Sequence, residues 1–100
     1  MAGMTDKFIM RPKTSQDVTT SGVSATHTNA FGAQTHVVRL ACTAAARYRV
    51  GPGTGDTAVA TDTLLNPDQG PELIQVRPGE KIYAIQEAAG GKLNVTEMTS

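Results

Sequence analysis

Apolar residues recur at alternate positions over much of the chain. Residues 71–98 read PELIQVRPGEKIYAIQEAAGGKLNVTEM, in which Ile74 and Val76, Ile82 and Ala84, and Leu93 and Val95 each share one parity. That is the period of a strand with one face buried. Pro78-Gly79 suits a tight turn between the first two runs, because proline presets the dihedral of the first central residue and glycine accepts a positive one at the second. With Gly90-Gly91 as the next break, the segment predicts an antiparallel meander.

The same pattern recurs upstream. In residues 35–43, THVVRLACT, Val38, Leu40 and Cys42 share the parity opposite to Arg39, so they form the predicted buried line. In residues 47–50, RYRV, Tyr48 and Val50 face inward and Arg47 and Arg49 outward. Ala44, Ala45 and Ala46 between these runs are too few to nucleate a helix and predict a turn or bulge. Residues 21–29, SGVSATHTN, suit a polar-faced strand, and Leu64 and Leu65 a short strand or a plug at one end of the core. Residues 1–20 carry few apolar positions. There Phe8, Ile9 and Met10 form an anchor ahead of Arg11-Pro12, in either an arm lying on another subunit or a first edge strand, where proline's missing donor is tolerated. The sum is an all-β chain: a small antiparallel β-sandwich or jelly-roll-like domain of seven or eight short strands over residues 21–100, preceded by an N-terminal arm or edge strand over residues 1–20. No tandem repeat is visible.

Composition narrows the functional classes. A chain of 100 residues with 39% hydrophobic positions and four aromatics (Phe8, Phe31, Tyr48, Tyr83) builds one domain whose core rests on Val, Ile, Leu and Ala. So few large anchors make oligomerisation, as a trimer or dimer, an expectation. Nine basic residues balance nine acidic ones, leaving no global field for nucleic acid or an anionic membrane. The N-terminal residues lack a long apolar signal, and no stretch approaches the roughly 20 apolar residues that span a bilayer. The expectation is a soluble product made in the cytoplasm.

Candidate chemistry is sparse. Cys42 stands alone and reads as a small buried hydrophobe. His27 and His36 have no partner at a metal-ligand interval, and no metal or other cofactor is expected. The loop GPGTG at residues 51–55 continues into Asp56-Thr57-Ala58, not into the Lys-Ser/Thr and helix of a phosphate loop. Asp56, Asp62 and Asp68 recur every six residues, a spacing unlike a calcium loop. Asn94-Val95-Thr96 has the form of a glycosylation sequon inside a predicted strand. A sugar-binding sandwich would need an exposed aromatic, for which Tyr83 is the candidate, since it has the parity opposite to Ile82 and Ala84. A cupin-like enzyme is weakly suggested by VRPGEKIYAI, but the two histidines lie far from Glu80 in sequence. Arg39, Arg47 and Arg49 are read as cations able to share one face, and Lys81 and Lys92 as charges that blunt sheet edges.

From Val23 onward the order of signals resembles a group of small virion proteins of tailed bacteriophages. The resemblance is carried by HVVRLACT, by the aromatic strand and loop RYRVGPGTG, by TAVATDTLLN, and by the closing PELIQVRPGEKIYAIQEAAGGKLNVTEM. It implies a non-enzymatic capsid decoration or cement protein on the capsid exterior, bridging subunits of the major capsid protein as a symmetric homo-oligomer. A tail or head-to-tail accessory protein is the alternative within that class. The expected contact residues are Phe8, Ile9, Met10, Arg11, Arg39, Arg47 and Arg49.

Overall fold

The alternating runs become strands, but almost every one pairs with a strand distant in sequence. The computed structural model describes residues 10–99. Within them the strands are β1 (Arg11–Thr20), β2 (Ala25–Thr26), β3 (Val37–Cys42), β4 (Ala46–Gly51), β5 (Thr63–Leu65), β6 (Glu72–Gln75), β7 (Lys81–Gln86) and β8 (Gly91–Thr99), with one short 3-10 turn, Pro67–Gln69. A front sheet has the order β1-β8-β3-β6 and a back sheet the order β2-β7-β4-β5. The first strand therefore pairs with the last, β2 with β7, β3 with β6 and β4 with β5, all antiparallel. This nesting is the eight-stranded jelly roll, a β-sandwich that results when one long antiparallel hairpin is rolled into two sheets.

The inner faces contain the residues that parity selected. Val18, Val38, Leu40, Leu93 and Val95 from the front sheet meet Tyr48, Leu65, Ile82 and Ala84 from the back, with Phe31 and Val76 completing the cluster. Burying a Val, Leu or Ile side chain is worth about 1.5–3 kcal/mol, and these contacts hold the sheets together. Cys42, Val50 and Ile74 pack at the margin of the same core. Ala46, expected in a turn, opens β4 and is fully buried.

The closing segment is not a meander. β6 and β8 flank β3 in the front sheet, and β7 lies in the back sheet between β2 and β4. Alternation tells which side chains are buried, and it is silent on which strand lies alongside. The turn itself forms as expected, with Glu80 N–H donating to the Arg77 carbonyl at 3.2 Å and Gly79 at φ 85°. It carries the chain from one sheet to the other. For the same reason Lys81 and Lys92 are not edge residues, since β7 and β8 are both interior strands.

Segment 21–29 contributes only Ala25–Thr26 as strand. From Arg11 the N-terminal segment is a ten-residue edge strand with a register shift between Pro12 and Ser15. Pro12 stands opposite Met98. Thr43 N–H donates to the Lys92 carbonyl, so the even-numbered residues of β8 aim their backbone groups at β3. The donor that Pro12 lacks would thus have pointed to the open side, where a proline costs no ladder bond.

The turns that feed β8 are sterically tight. A Cβ on Gly91 would lie 2.7 Å from Thr43 Oγ1 and 2.8 Å from Ala44 Cβ. Thr43 Oγ1 cannot yield freely, because it accepts the Lys92 N–H at 2.9 Å. Gly91→Ala should therefore destabilise the domain by about 1–3 kcal/mol through overpacking. Urea denaturation checks this, and an unchanged midpoint would show that the β3–β4 turn moves aside at no cost.

Candidate interaction surface

The outward face of the front sheet is built from the parity opposite to the core. Register sets Leu73, Arg39, Thr96 and Ser15 in one row across β6, β3, β8 and β1, and Gln75, Val37, Met98 and Pro12 in the next. The lower half of this face is an ordered polar ladder. Ser15 and Thr96 share a hydroxyl hydrogen bond of 2.7 Å, Thr96 Oγ1 donates to Asn94 Oδ1 at 2.8 Å, and Asn94 Nδ2 donates to Asp17 Oδ1 at 3.0 Å. Groups fixed in this way lose little side-chain freedom when a partner arrives.

Its upper half is apolar around a cation. One cleft of about 440 Å³ runs from Pro12, Arg39 and Met98 onto the polar ladder at Ser15, Asn94 and Thr96, with Lys13 also on its wall, and a second of about 280 Å³ is lined by Met10, Arg39, Pro71, Leu73 and Met98. Leu73 is 57% exposed. Arg39 lines both clefts and has no ion pair among the described residues. Met98 and Leu73 were missed in the sequence, although each breaks its strand's alternation, being apolar on the polar parity. That exception was the available signal.

Arg47 and Arg49 lie elsewhere. β3 and β4 are consecutive but belong to opposite sheets, so Arg39 does not share a face with the other two. Arg47 forms a bidentate pair with Glu87, at 3.2 and 2.9 Å, and also donates to the Asp62 carbonyl. Arg49 is held by Asp62 at 2.8 Å and Asp56 at 3.1 Å. Its guanidinium keeps the Asp62 carboxyl below the ordinary carboxylate range. These pairs staple the loop after β4 onto the back sheet and give Asp56 and Asp62 a partner in Arg49. Arg11 is exposed at the start of β1 and Met10 is half-buried, while Phe8 and Ile9 lie outside the described residues.

The other candidates have structural partners. Tyr83 is 3% exposed and its hydroxyl donates to the Pro52 carbonyl at 2.6 Å. The loop after β4 covers it, so it is no platform for a sugar. Cys42 is half-buried with Sγ 3.6 Å from the Leu65 carbonyl, and burial pushes its thiol up, away from nucleophilic character. Among the described residues no group of three His, Cys, Asp or Glu is placed to hold a metal. A separate cleft of about 480 Å³ brings His36, Arg77 and Glu80 together beside Val76. Glu80 Oε1 there already accepts the Arg77 N–H at 2.6 Å.

His27 is buried and used at both nitrogens. Nε2 accepts the Ile82 N–H at 3.0 Å, which requires the proton on Nδ1, and Nδ1 then donates to the Asn29 carbonyl at 2.8 Å. The ring also packs on Phe31 at a centroid distance of 5.2 Å. Burial pushes the imidazole below its ordinary value, opposed by the Asn29 carbonyl, reinforced by Lys81 and opposed by Glu97. Glu97 is itself buried, accepting the Gly32 N–H at 3.1 Å and the Thr35 hydroxyl.

No protein-family model, curated protein or solved structure matches this chain.

A group whose folded-state value is lowered binds its proton more readily in the unfolded chain. Stability from His27 is therefore complete above the ordinary histidine value of about 6.5 and falls as pH drops through it. The urea midpoint should decline between about pH 7 and 5, before most carboxylates protonate. His27→Gln should flatten that interval. An equal decline in the variant would show that other groups carry it.

Proposed function

We propose that this chain is a non-enzymatic virion structural protein that decorates and stabilises a tailed-phage capsid, bridging subunits of the major capsid protein from the outside. The observation that carries the reading is the outer face of the front sheet. There a pre-ordered polar ladder adjoins an apolar corner, and Arg39 lies between them without a carboxylate partner among the described residues. Such a mixture of fixed polar groups, exposed apolar surface and an unspent cation suits a protein interface. By contrast, the two arginines of the back sheet, Arg47 and Arg49, are already paired with carboxylates of their own chain.

The order of sequence signals shared with small phage virion proteins supports the same reading. The jelly roll is compatible with it, since viral capsid proteins use this architecture, as do lectins and cupins. Fold alone does not choose among them. Decoration also makes modest demands on each contact. A lattice presents the same site many times, and an oligomer that engages several sites gains avidity from effective concentration. Residues 1–9 supply the remaining contacts in this proposal, through Phe8 and Ile9.

Co-sedimentation with purified mature heads lacking the chain tests the reading. Stoichiometric binding is expected, with hundreds of copies per head rather than the few of a tail or head-to-tail component. Arg39→Glu should weaken binding at least tenfold, equivalent to about 1.4 kcal/mol. Deleting residues 1–9 should also weaken it while the β-sheet circular dichroism stays intact. Absence of binding by the wild-type chain would sink the proposal, and full binding by Arg39→Glu would remove this face from it.

A further inference from the structure

The free edge of the front sheet is complementary to itself. β6 pairs with β3 on one side only, and it is the last strand in the sheet order. Val76 N–H donates to the His36 carbonyl at 2.9 Å, which fixes the phase of the ladder. Ile74 and Glu72, two and four positions earlier, also turn their backbone groups to β3, opposite Val38 and Leu40. The N–H and C=O groups of Leu73 and Gln75 therefore point away from the sheet, and no hydrogen bond among the described residues reaches them.

The ends of this edge are stopped. Pro71 has no N–H to offer. Arg77 has both of its backbone groups engaged, its N–H by Glu80 Oε1 at 2.6 Å and its carbonyl by Glu80 N–H at 3.2 Å. Only the two residues between the stops, Leu73 and Gln75, can join another strand.

We propose that two copies of this chain associate by antiparallel pairing of β6 with β6 about a two-fold axis at Ile74, making one continuous sheet. Leu73 then faces Gln75 of the second copy, and Gln75 faces Leu73 of the second copy. Each pair exchanges both of its backbone hydrogen bonds. In this register Pro71 falls opposite Arg77 of the second copy, so the residue lacking a donor meets the residue whose groups are already used. The charges agree as well. The pairing residues Leu73 and Gln75 are uncharged, Ile74 meets itself on the axis, and Arg77 falls opposite Pro71, so no like charges are superposed. Leu73, 57% exposed in the single chain, is covered beside the partner strand.

The opposite edge of the front sheet does not compete. β1 presents Pro12, Lys13, Asp17 and a register shift, devices that discourage edge pairing. Pairing about a two-fold consumes both β6 edges, so the assembly closes as a dimer and does not extend into fibres. A four-residue edge is short, and its interface falls below the roughly 1,200 Å² of a stable complex. Association in the micromolar-to-millimolar range follows, tightened when a lattice holds two copies side by side. The inference does not rest on the capsid reading, because it concerns copies of this chain alone.

Sedimentation velocity of the full chain over a concentration series tests it. A reversible monomer–dimer equilibrium is expected, together with concentration-dependent NMR shifts of the Leu73 and Gln75 amides. Leu73→Lys places like charges beside the axis, and Gln75→Pro removes an outward N–H without touching the β3 ladder. Both should be monomeric at concentrations where the wild type dimerises, with unchanged circular dichroism. A wild type monomeric up to millimolar concentration, a trimer, or a dimer that survives both substitutions would each overturn the proposal. Capsid binding by a monomeric chain would then still stand on Arg39.

Discussion

The pairing of the first strand with the last is the constraint on which the other features depend. β1 and β8 are joined over nearly the whole of β1, from Arg11 opposite Thr99 to Thr20 opposite Gly91. Such a contact is entropically costly, because it closes almost the entire chain into a loop before it yields any bond. It is secured at its far end by a reciprocal bolt, in which Thr20 Oγ1 donates to the Gly91 carbonyl at 3.1 Å and accepts the Gly91 N–H at 2.9 Å. Val18 beside Leu93 carries the hydrophobic share. With β1 in place, Ser15 and Asp17 complete the polar ladder with Asn94 and Thr96, and Pro12 comes to lie against Met98. Without it the candidate surface would lose one of its walls.

The two sheets divide the outward chemistry. The back sheet pairs its two arginines within the chain, Arg47 on Glu87 and Arg49 on Asp56 and Asp62, and it wears the loop after β4 as a cover over Tyr83. Exposed ion pairs of this kind add little stability, but they leave little for a partner to recognise. The front sheet keeps Arg39 unpaired among the described residues, exposes Leu73, and ends in an open strand. A docking face and a self-pairing edge on the same sheet are mutually compatible, because the first lies on its broad surface and the second along its rim.

How much of this was legible in the sequence follows from what each signal measures. Period-two alternation reports the burial of a side chain relative to its own strand, and it identified Val38, Leu40, Ile82, Ala84, Leu93 and Val95 as core. It carries no information on which strand lies alongside. So the expected meander became two strands flanking β3, Lys81 and Lys92 moved from edges to interior strands, and the three arginines separated onto opposite sheets. Tyr83 was assigned to the wet face by parity, and it does face outward from its strand, but a loop covers it. His27 looked unpartnered because side chain–backbone bonds, such as the one to Ile82 across 55 positions, leave no mark in local spacing. Met98 and Leu73 were legible in principle as violations of the alternation, yet their meeting with Pro12 and Arg39 depends on strand order.

Residue-resolved amide hydrogen exchange in the dilute monomeric chain tests the closure of the front sheet most directly. The phase of the ladder aims the Leu93 and Val95 amides at β1 and the Leu73 and Gln75 amides at solvent. Closure by β1 requires strong protection of Leu93 and Val95, with rapid exchange at Leu73 and Gln75. Rapid exchange at Leu93 and Val95 while Ile74 and Val76 stay protected would mean that β1 does not close the sheet, and that the surface around Arg39 is not assembled in the free protein.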